Sequence, residues 1–341
     1  MKVLLLTPRI RGVGGIAQHV RCLAEQLEEA GYQVYILSSE TLRTPRIKGA
    51  ANPLYSLASA FKLLGRSYDI VHGHNLPSAP GIKASKAQVK ILTLHGHYSR
   101  QIRLLYGEAL GRLAERAEQL AISWVDGVTA VSRAAADYYR RRGAHVEHIP
   151  NAVKLSEMPR RGERVSDPQV TYLGRLSKEK GVDLLIEAAA HHGVKGLVLA
   201  GDGPLKPLVE YAAGKKLLTY LGALPRWRAL RVLKGSDIAV LPSREEGIST
   251  VLLEAMACRV PVVATRVGGT VEVVREGVDA LLVKPDASEI AEAVKRLLQD
   301  REQASRLSEN AYRRVGEKYS WERVGGLYLN LYRRLLEGNL K

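Results

Sequence analysis

Short apolar runs recur along this 341-residue chain, and each gives way to a polar or glycine-bearing turn and then to a stretch of helical composition. Val3-Leu4-Leu5-Leu6 is the first, and runs at 34–37, 69–72, 91–94 and 128–132 follow it. These runs are continuously apolar rather than alternating, the pattern of strands buried on both faces, and strands separated by helices predict a parallel, doubly wound α/β sheet. A second series at 170–173, 196–200, 218–221, 238–241 and 262–264 predicts another such sheet. Between the two series, residues 154–168 carry Lys154, Pro159, Arg160, Arg161, Gly162, Arg164 and Pro168 without periodicity and read as a linker. The expected architecture is therefore two Rossmann-like domains, 1–153 and 169–319, with a cleft between them and a helical segment at 320–341.

Hydrophobic content of 46% and charged content of 25% are those of an ordinary globular protein. The N-terminal apolar run is too short for a signal peptide, and no segment approaches the roughly 20 apolar residues of a membrane span. A cytoplasmic protein is expected. Cys22 and Cys258 match no metal or redox spacing and read as small buried hydrophobes. The net charge of +16 arises from 51 basic and 35 acidic residues and attracts anionic partners: nucleotide phosphates, acidic lipid surfaces or nucleic acid. The basic residues are not interleaved with aromatics and no nucleic-acid motif is present, so nucleic acid ranks last.

The chemistry concentrates in residues 242–257, which follow the apolar run 238–241 and read as loop, then helix. Glu246 falls at the C-terminal end of a strand, where open α/β sheets bind ligands, and Glu254 lies eight residues on, in the helix. Between them the backbone N–H groups of Ile248, Ser249 and Thr250 form a helix N-terminus suited to phosphate. Two acceptors flanking a run of donors describe a nucleotide-sugar site. Residues 174–181 give a second strand-end loop, in which Arg175 offers a planar fork and Lys180 a point charge to one diphosphate. A third loop, with Gly14 and Gly15, lets backbone approach an anion after the first strand, although by itself it fits any strand-to-helix turn. His72, His74, His95 and His97 all stand at or just past strand ends; His95, next to Gly96, is the strongest candidate for a site, and zinc ranks below catalysis because no Cys or carboxylate supports it. The basic residues of a long helical pattern over 99–122 read as a solvated face rather than a docking surface.

Taken together, these motifs resemble the family 4 retaining glycosyltransferases of the GT-B fold. The resemblance runs through Gly14-Gly15-Ile16, residues 69–74, Thr93-Leu94-His95-Gly96, Pro150-Asn151, the 174–181 loop, Gly201-Asp202-Gly203-Pro204, the Glu246 and Glu254 pair and Val267-Gly268-Gly269. It implies that Arg175 and Lys180 bind the donor diphosphate, that Glu254 takes the ribose hydroxyls and Glu246 those of the donor sugar, that Gly15 faces the diphosphate, and that His95 contacts the sugar near its anomeric carbon. It further implies a front-face displacement of a nucleoside-diphosphate sugar by a hydroxyl acceptor. The chain has no Asp-x-Asp motif, in keeping with a reaction that needs neither metal nor other cofactor. The family's equivalent of 320–341 crosses back to the N-terminal domain, where Tyr328, Leu331, Tyr332 and Leu335 would pack. A glycan, lipid-linked or otherwise anionic acceptor, and peripheral association with an anionic membrane, are the partners expected.

Two departures stand out. Gly247-Ile248-Ser249-Thr250 replaces the family's Gly-Phe-Gly-Leu, so Ser249 adds a side chain where close approach matters. Arg259 replaces a glycine at a position that can require left-handed backbone, which predicts local strain or a rearranged turn. A nucleotide-sugar epimerase of the same architecture, a polyanion-binding protein and a catalytically silent relative are the competing readings.

Overall fold

The structure, a computed structural model, describes residues 1–10, 15–45, 47 and 50–338, apart from the side chains of 101 and 104–106. Its contacts divide the chain into two compact units: Met1–Asn151 with Trp321–Lys341, and Ala152–Ser320.

Unit 1 holds a six-stranded parallel sheet of β1 (Lys2–Leu6), β2 (Gln33–Leu37), β3 (Ser67–His74), β4 (Lys86–Leu94), β5 (Gly127–Ala130) and β6 (Val146–His148), in the order β2-β1-β3-β4-β5-β6. The chain leaves β1 toward one edge and returns on its other side as β3, so the order reverses between them, and strand-end loops on either side of such a reversal open a crevice. Leu4, Leu6, Val71, Leu92 and Leu94 pack in one core beneath flanking helices. Unit 2 holds β7 (Val170–Leu173), β8 (Leu197–Ala200), β9 (Thr219–Tyr220), β10 (Ile238–Leu241), β11 (Val262–Thr265) and β12 (Leu281–Val283), in the order β12-β11-β10-β7-β8-β9. Here the reversal lies between β7 and β10, which pair Ile238 with Val170. Alternate residues serve opposite faces: Ile238 and Val240 enter one core and Ala239 the other. Continuous apolar runs are what a sheet covered on both sides demands.

The expected helix over 99–122 is instead two, Tyr98–Tyr106 and Glu108–Ile122. Gly107 stands between them at φ 89°, a conformation only glycine adopts freely, and the chain doubles back there. A Cβ on Gly111 would lie 2.6 Å from that of Arg103, so the glycine lets the two helices meet. Arg103 is consequently no part of a solvated face: it pairs with Glu108 at 3.1 Å and Glu115 at 3.3 Å. Glu118 is buried, accepting from the Ser99 N–H and the Tyr139 hydroxyl.

The C-terminal helix Trp321–Gly338 belongs to unit 1, burying Tyr328, Leu331 and Tyr332 while Leu335 is partly covered. Residues 154–168 belong to unit 2, held by the Arg164 ion pair to Asp237 and by Glu163 N–H to Arg231 C=O.

Candidate active site

In unit 2, two loops leave the β7/β10 reversal and are tied to each other. After β7 the chain runs through Gly174 and Arg175 to Lys180 and Gly181, then enters the helix Val182–His191. Gly181 lies at φ 69°, and a Cβ there would stand 2.0 Å from the Pro242 carbonyl oxygen, so glycine is required for the two loops to touch. After β10, Arg244 binds Asp183 through both guanidinium nitrogens, at 2.7 and 2.8 Å, and reaches the Lys178 carbonyl at 2.7 Å. Arg244 N–H donates to Glu179 C=O at 2.8 Å. This bidentate clamp fixes one loop on the other.

Lys180 and Glu246 meet across that junction. Lys180 Nζ donates to Glu246 Oε2 at 2.6 Å, and Ser243 Oγ donates to the same oxygen at 3.1 Å. Behind Glu246, Gly268 (φ 46°) presses its backbone against the chain, and a Cβ there would sit 1.8 Å from the Glu246 carbonyl oxygen. The Val267-Gly268-Gly269 motif is therefore a support for Glu246. Arg175 is exposed; its carbonyl accepts from the Tyr172 hydroxyl at 2.7 Å, and its guanidinium has no bonded partner among the described residues.

Glu254 is buried in the helix Thr250–Ala257 and is bonded to Arg226, which also pairs with Glu157 at 3.3 Å. Burial pushes the Glu254 carboxyl above the usual range, and Arg226 opposes that shift. Ile248 is buried in the core, and Ser249 caps the helix, its Oγ accepting from Leu252 N–H at 3.3 Å. The extra side chain of Ser249 thus satisfies a helix donor, on extended backbone that any residue adopts. Arg259 does occupy the left-handed region, at φ 55°, with its guanidinium 4.0 Å over the Tyr312 ring.

In unit 1 the β1/β3 reversal carries imidazoles. Gly14 lies outside the described residues, while Gly15 opens the helix Gly15–Glu29. That helix supplies His19, which packs among His74, His95, Trp321 and Tyr328. His19 Nδ1 contacts Asn151 Oδ1 and Nε2 contacts the Tyr328 hydroxyl, both at 3.2 Å. His72 bonds the Tyr332 hydroxyl at 2.7 Å and Thr93 Oγ1 at 2.6 Å. His74 Nδ1 lies 3.1 Å from His95 Nε2. Burial lowers every one of these imidazoles, His19 to about 4 and His72 to about 3, and the neighbouring imidazoles push His74 and His95 further down. The cluster is neutral at pH 7. His97 stands apart, against Tyr138 and Tyr139. Nitrogens of His19, His74 and His95 lie within 4.8 Å of one another, spacing that admits a metal, but both nitrogens of His19 already have partners.

Lys180 and Glu246, both expected from the sequence, meet in the fold, whereas Asp183, Arg226, Arg244 and His19 carry no such signal. Arg244 lay inside the singled-out stretch, and its bidentate partner follows Gly181 by only two residues; no periodicity marks His19 on its helix.

Two Rossmann-like units, one bearing cation–carboxylate loops at its strand reversal, define the GT-B class. Residues 154–314 match the family described as glycosyl transferases group 1, and residues 13–157 match glycosyltransferase family 4. The α-D-kanosaminyltransferase of Streptomyces kanamyceticus is 37% identical over 177 residues, 49% of this chain and 46% of that protein, so the chain spans about half that relative's length. Among solved structures, sucrose-phosphate synthase of Thermosynechococcus elongatus aligns over 99% of both chains with a TM-score of 0.84 and 22% identity. Anabaena HepE in complex with UDP-glucose aligns over 98% of this chain and 100% of its own, with a TM-score of 0.75 and 18% identity. The chain belongs to the group 1, family 4 glycosyltransferases, and it is a glycosyltransferase enzyme of the GT-B type. Among the described residues, no helix is long and apolar enough to cross a membrane.

Proposed function

We propose that the enzyme transfers a hexosyl group from a nucleoside-diphosphate sugar to the hydroxyl of a glycan, lipid-linked or other anionic acceptor, with retention of configuration and without a metal ion. The observation that carries this reading is the Lys180–Glu246 contact at the β7/β10 reversal, which puts a cation and a hydroxyl acceptor at one loop junction. In this reading Glu246 exchanges its Lys180 and Ser243 bonds for the hydroxyls of the donor sugar. Lys180, thereby released, joins Arg175 on the diphosphate. Glu254 takes the ribose hydroxyls, and the backbone from Ile248 to Thr250 directs its N–H groups at phosphate.

The bond between the anomeric carbon and the diphosphate oxygen breaks, and its electron pair leaves with the phosphate. The acceptor oxygen bonds to the same face of that carbon, and its proton passes to the departing phosphate oxygen. Charge therefore grows on the diphosphate in the transition state, where Lys180 and Arg175 lower its energy. Their two positive charges are the reason for reading the step as metal-independent. Uridine is the first base to try, since HepE binds UDP-glucose in the same fold.

The test is calorimetry with UDP-, GDP- and ADP-sugars, with and without EDTA. Binding of one donor that survives chelation supports the reading. Binding that EDTA abolishes overturns the metal-free part, and failure of every donor to bind overturns the whole.

A further inference from the structure

The helix Ala51–Leu63 of unit 1 has one face against the body of the protein, where Tyr55, Ser59 and Leu63 are buried. Its outer face ought to be polar. Instead Leu57, Phe61 and, just past the helix, Leu64 stand out from the surface at 70%, 85% and 72% exposure. Spaced four and three residues apart, they form one stripe, and the stripe includes the chain's single Phe. A helix apolar on both faces belongs to an interior or to a second apolar medium.

Charge selects that medium. From residue 41 to residue 68 the sequence has five Lys or Arg and no Asp or Glu. Lys62 and Arg66 are exposed beside the stripe, and Arg66 C=O accepts from the backbone of Lys86, another exposed lysine. A second copy of this chain laid face to face on the stripe would set these cations against themselves, a repulsive arrangement. Anionic lipid meets both requirements, taking the apolar side chains at the depth of its acyl boundary and the lysines and arginines at its headgroups.

We propose that this helix is a membrane-docking element, inserting Leu57, Phe61 and Leu64 into an anionic bilayer surface while Lys62 and Arg66 bind the headgroups. The proposal goes beyond the transfer reaction and is tested without a donor, so the two can fail separately. The experiment is co-sedimentation of the full chain with phosphatidylcholine vesicles and with phosphatidylcholine–phosphatidylglycerol vesicles. The expected result is binding to the anionic vesicles alone. Binding should weaken about tenfold or more in the Leu57→Ser, Phe61→Ser, Leu64→Ser triple variant, and by a similar factor in Lys62→Glu, Arg66→Glu. All five side chains are exposed, so the variants should keep the wild-type melting temperature, which is measured alongside. Equal vesicle binding by wild type and folded variants overturns the proposal. So does a failure to bind anionic vesicles, including the case where light scattering shows a dimer that Phe61→Ser dissociates, which would make a second copy the occupant.

Discussion

The two strand reversals in this molecule solve one problem in opposite ways. Each crowds ionisable side chains at the end of a sheet. In unit 2 cationic side chains are paired with carboxylates: Lys180 with Glu246, Arg244 with Asp183, Arg226 with Glu254. In unit 1 His19, His72, His74 and His95 are neutral; tyrosine and threonine hydroxyls and Asn151 are the partners of His19 and His72, while His74 and His95 meet each other. Paired charges keep strong electrostatics available for a charged ligand. Neutral imidazoles offer hydrogen bonds without a field, which suits hydroxyl groups.

Acidification should separate the two most widely. An unfolded histidine takes a proton below its ordinary value of 6.5, whereas folded His19 waits until about 4 and His72 until about 3. The unfolded chain therefore binds more protons in that window. Unit 1 is at full stability above pH 6.5 and loses about 1.4 kcal/mol per pH unit for each such group as the pH falls toward 4. Asp279 behaves otherwise: burial raises it, yet Arg275 and Arg314 bring it below the usual range, so its contribution is lost only at lower pH. Segment-resolved hydrogen exchange at pH 7 and 5, corrected for the intrinsic rate at each pH, should show lower protection factors at pH 5 in β3, β4 and the helix Trp321–Gly338, with those of β8 and β11 unchanged. Equal loss of protection in both units would break the contrast.

Removing one partner from a pair should be nearly as costly. Arg226→Ala strands Glu254 in the interior and should destabilise unit 2 by about 3 kcal/mol, read from denaturant midpoints. Glu246→Ala should lower transfer about 100-fold while leaving nucleoside-diphosphate affinity within about threefold, whereas Lys180→Ala should weaken both. A Glu246→Ala enzyme with the wild-type rate would remove the catalytic meaning of the pair. Smaller still, Tyr332→Phe removes a buried bond to His72 and should cost about 2 kcal/mol. Arg334→Ala, on the same helix, breaks only an exposed ion pair to Glu147 and should cost less than about 1 kcal/mol. Reversal of that order in thermal melts would mean that Tyr332 holds the helix by packing alone.

The fold was legible because parallel strands buried on both faces leave uninterrupted apolar runs, and 3–6, 238–241 and 262–264 show them plainly. The carboxylates and cations of unit 2 were legible because strand-end loops sit at fixed offsets from those runs. What was illegible depends on distance through space. The break at Gly107 was hidden because flanking segments 98–106 and 108–122 are each helical, and one glycine within such a pattern does not declare itself a turn. The imidazole cluster needed residues from β3, the end of β4 and two helices, with His19 and Tyr328 309 positions apart. Tyr328 and Tyr332 were readable as packing residues; that their hydroxyls face histidines follows only from the register of the folded helix.

The chain enters unit 2 and leaves it at neighbouring points. Val153 bridges Ser320, and Val153 N–H donates to Tyr319 C=O at 2.9 Å. Unit 2 is therefore an insert whose two ends are already spliced together, and unit 1 is a single host interrupted once. Such a topology makes residues 152–320 a cassette. It can be lifted out on one stitch, or exchanged for that of a relative, while the host retains its own sheet, its histidines and the helix that closes over them.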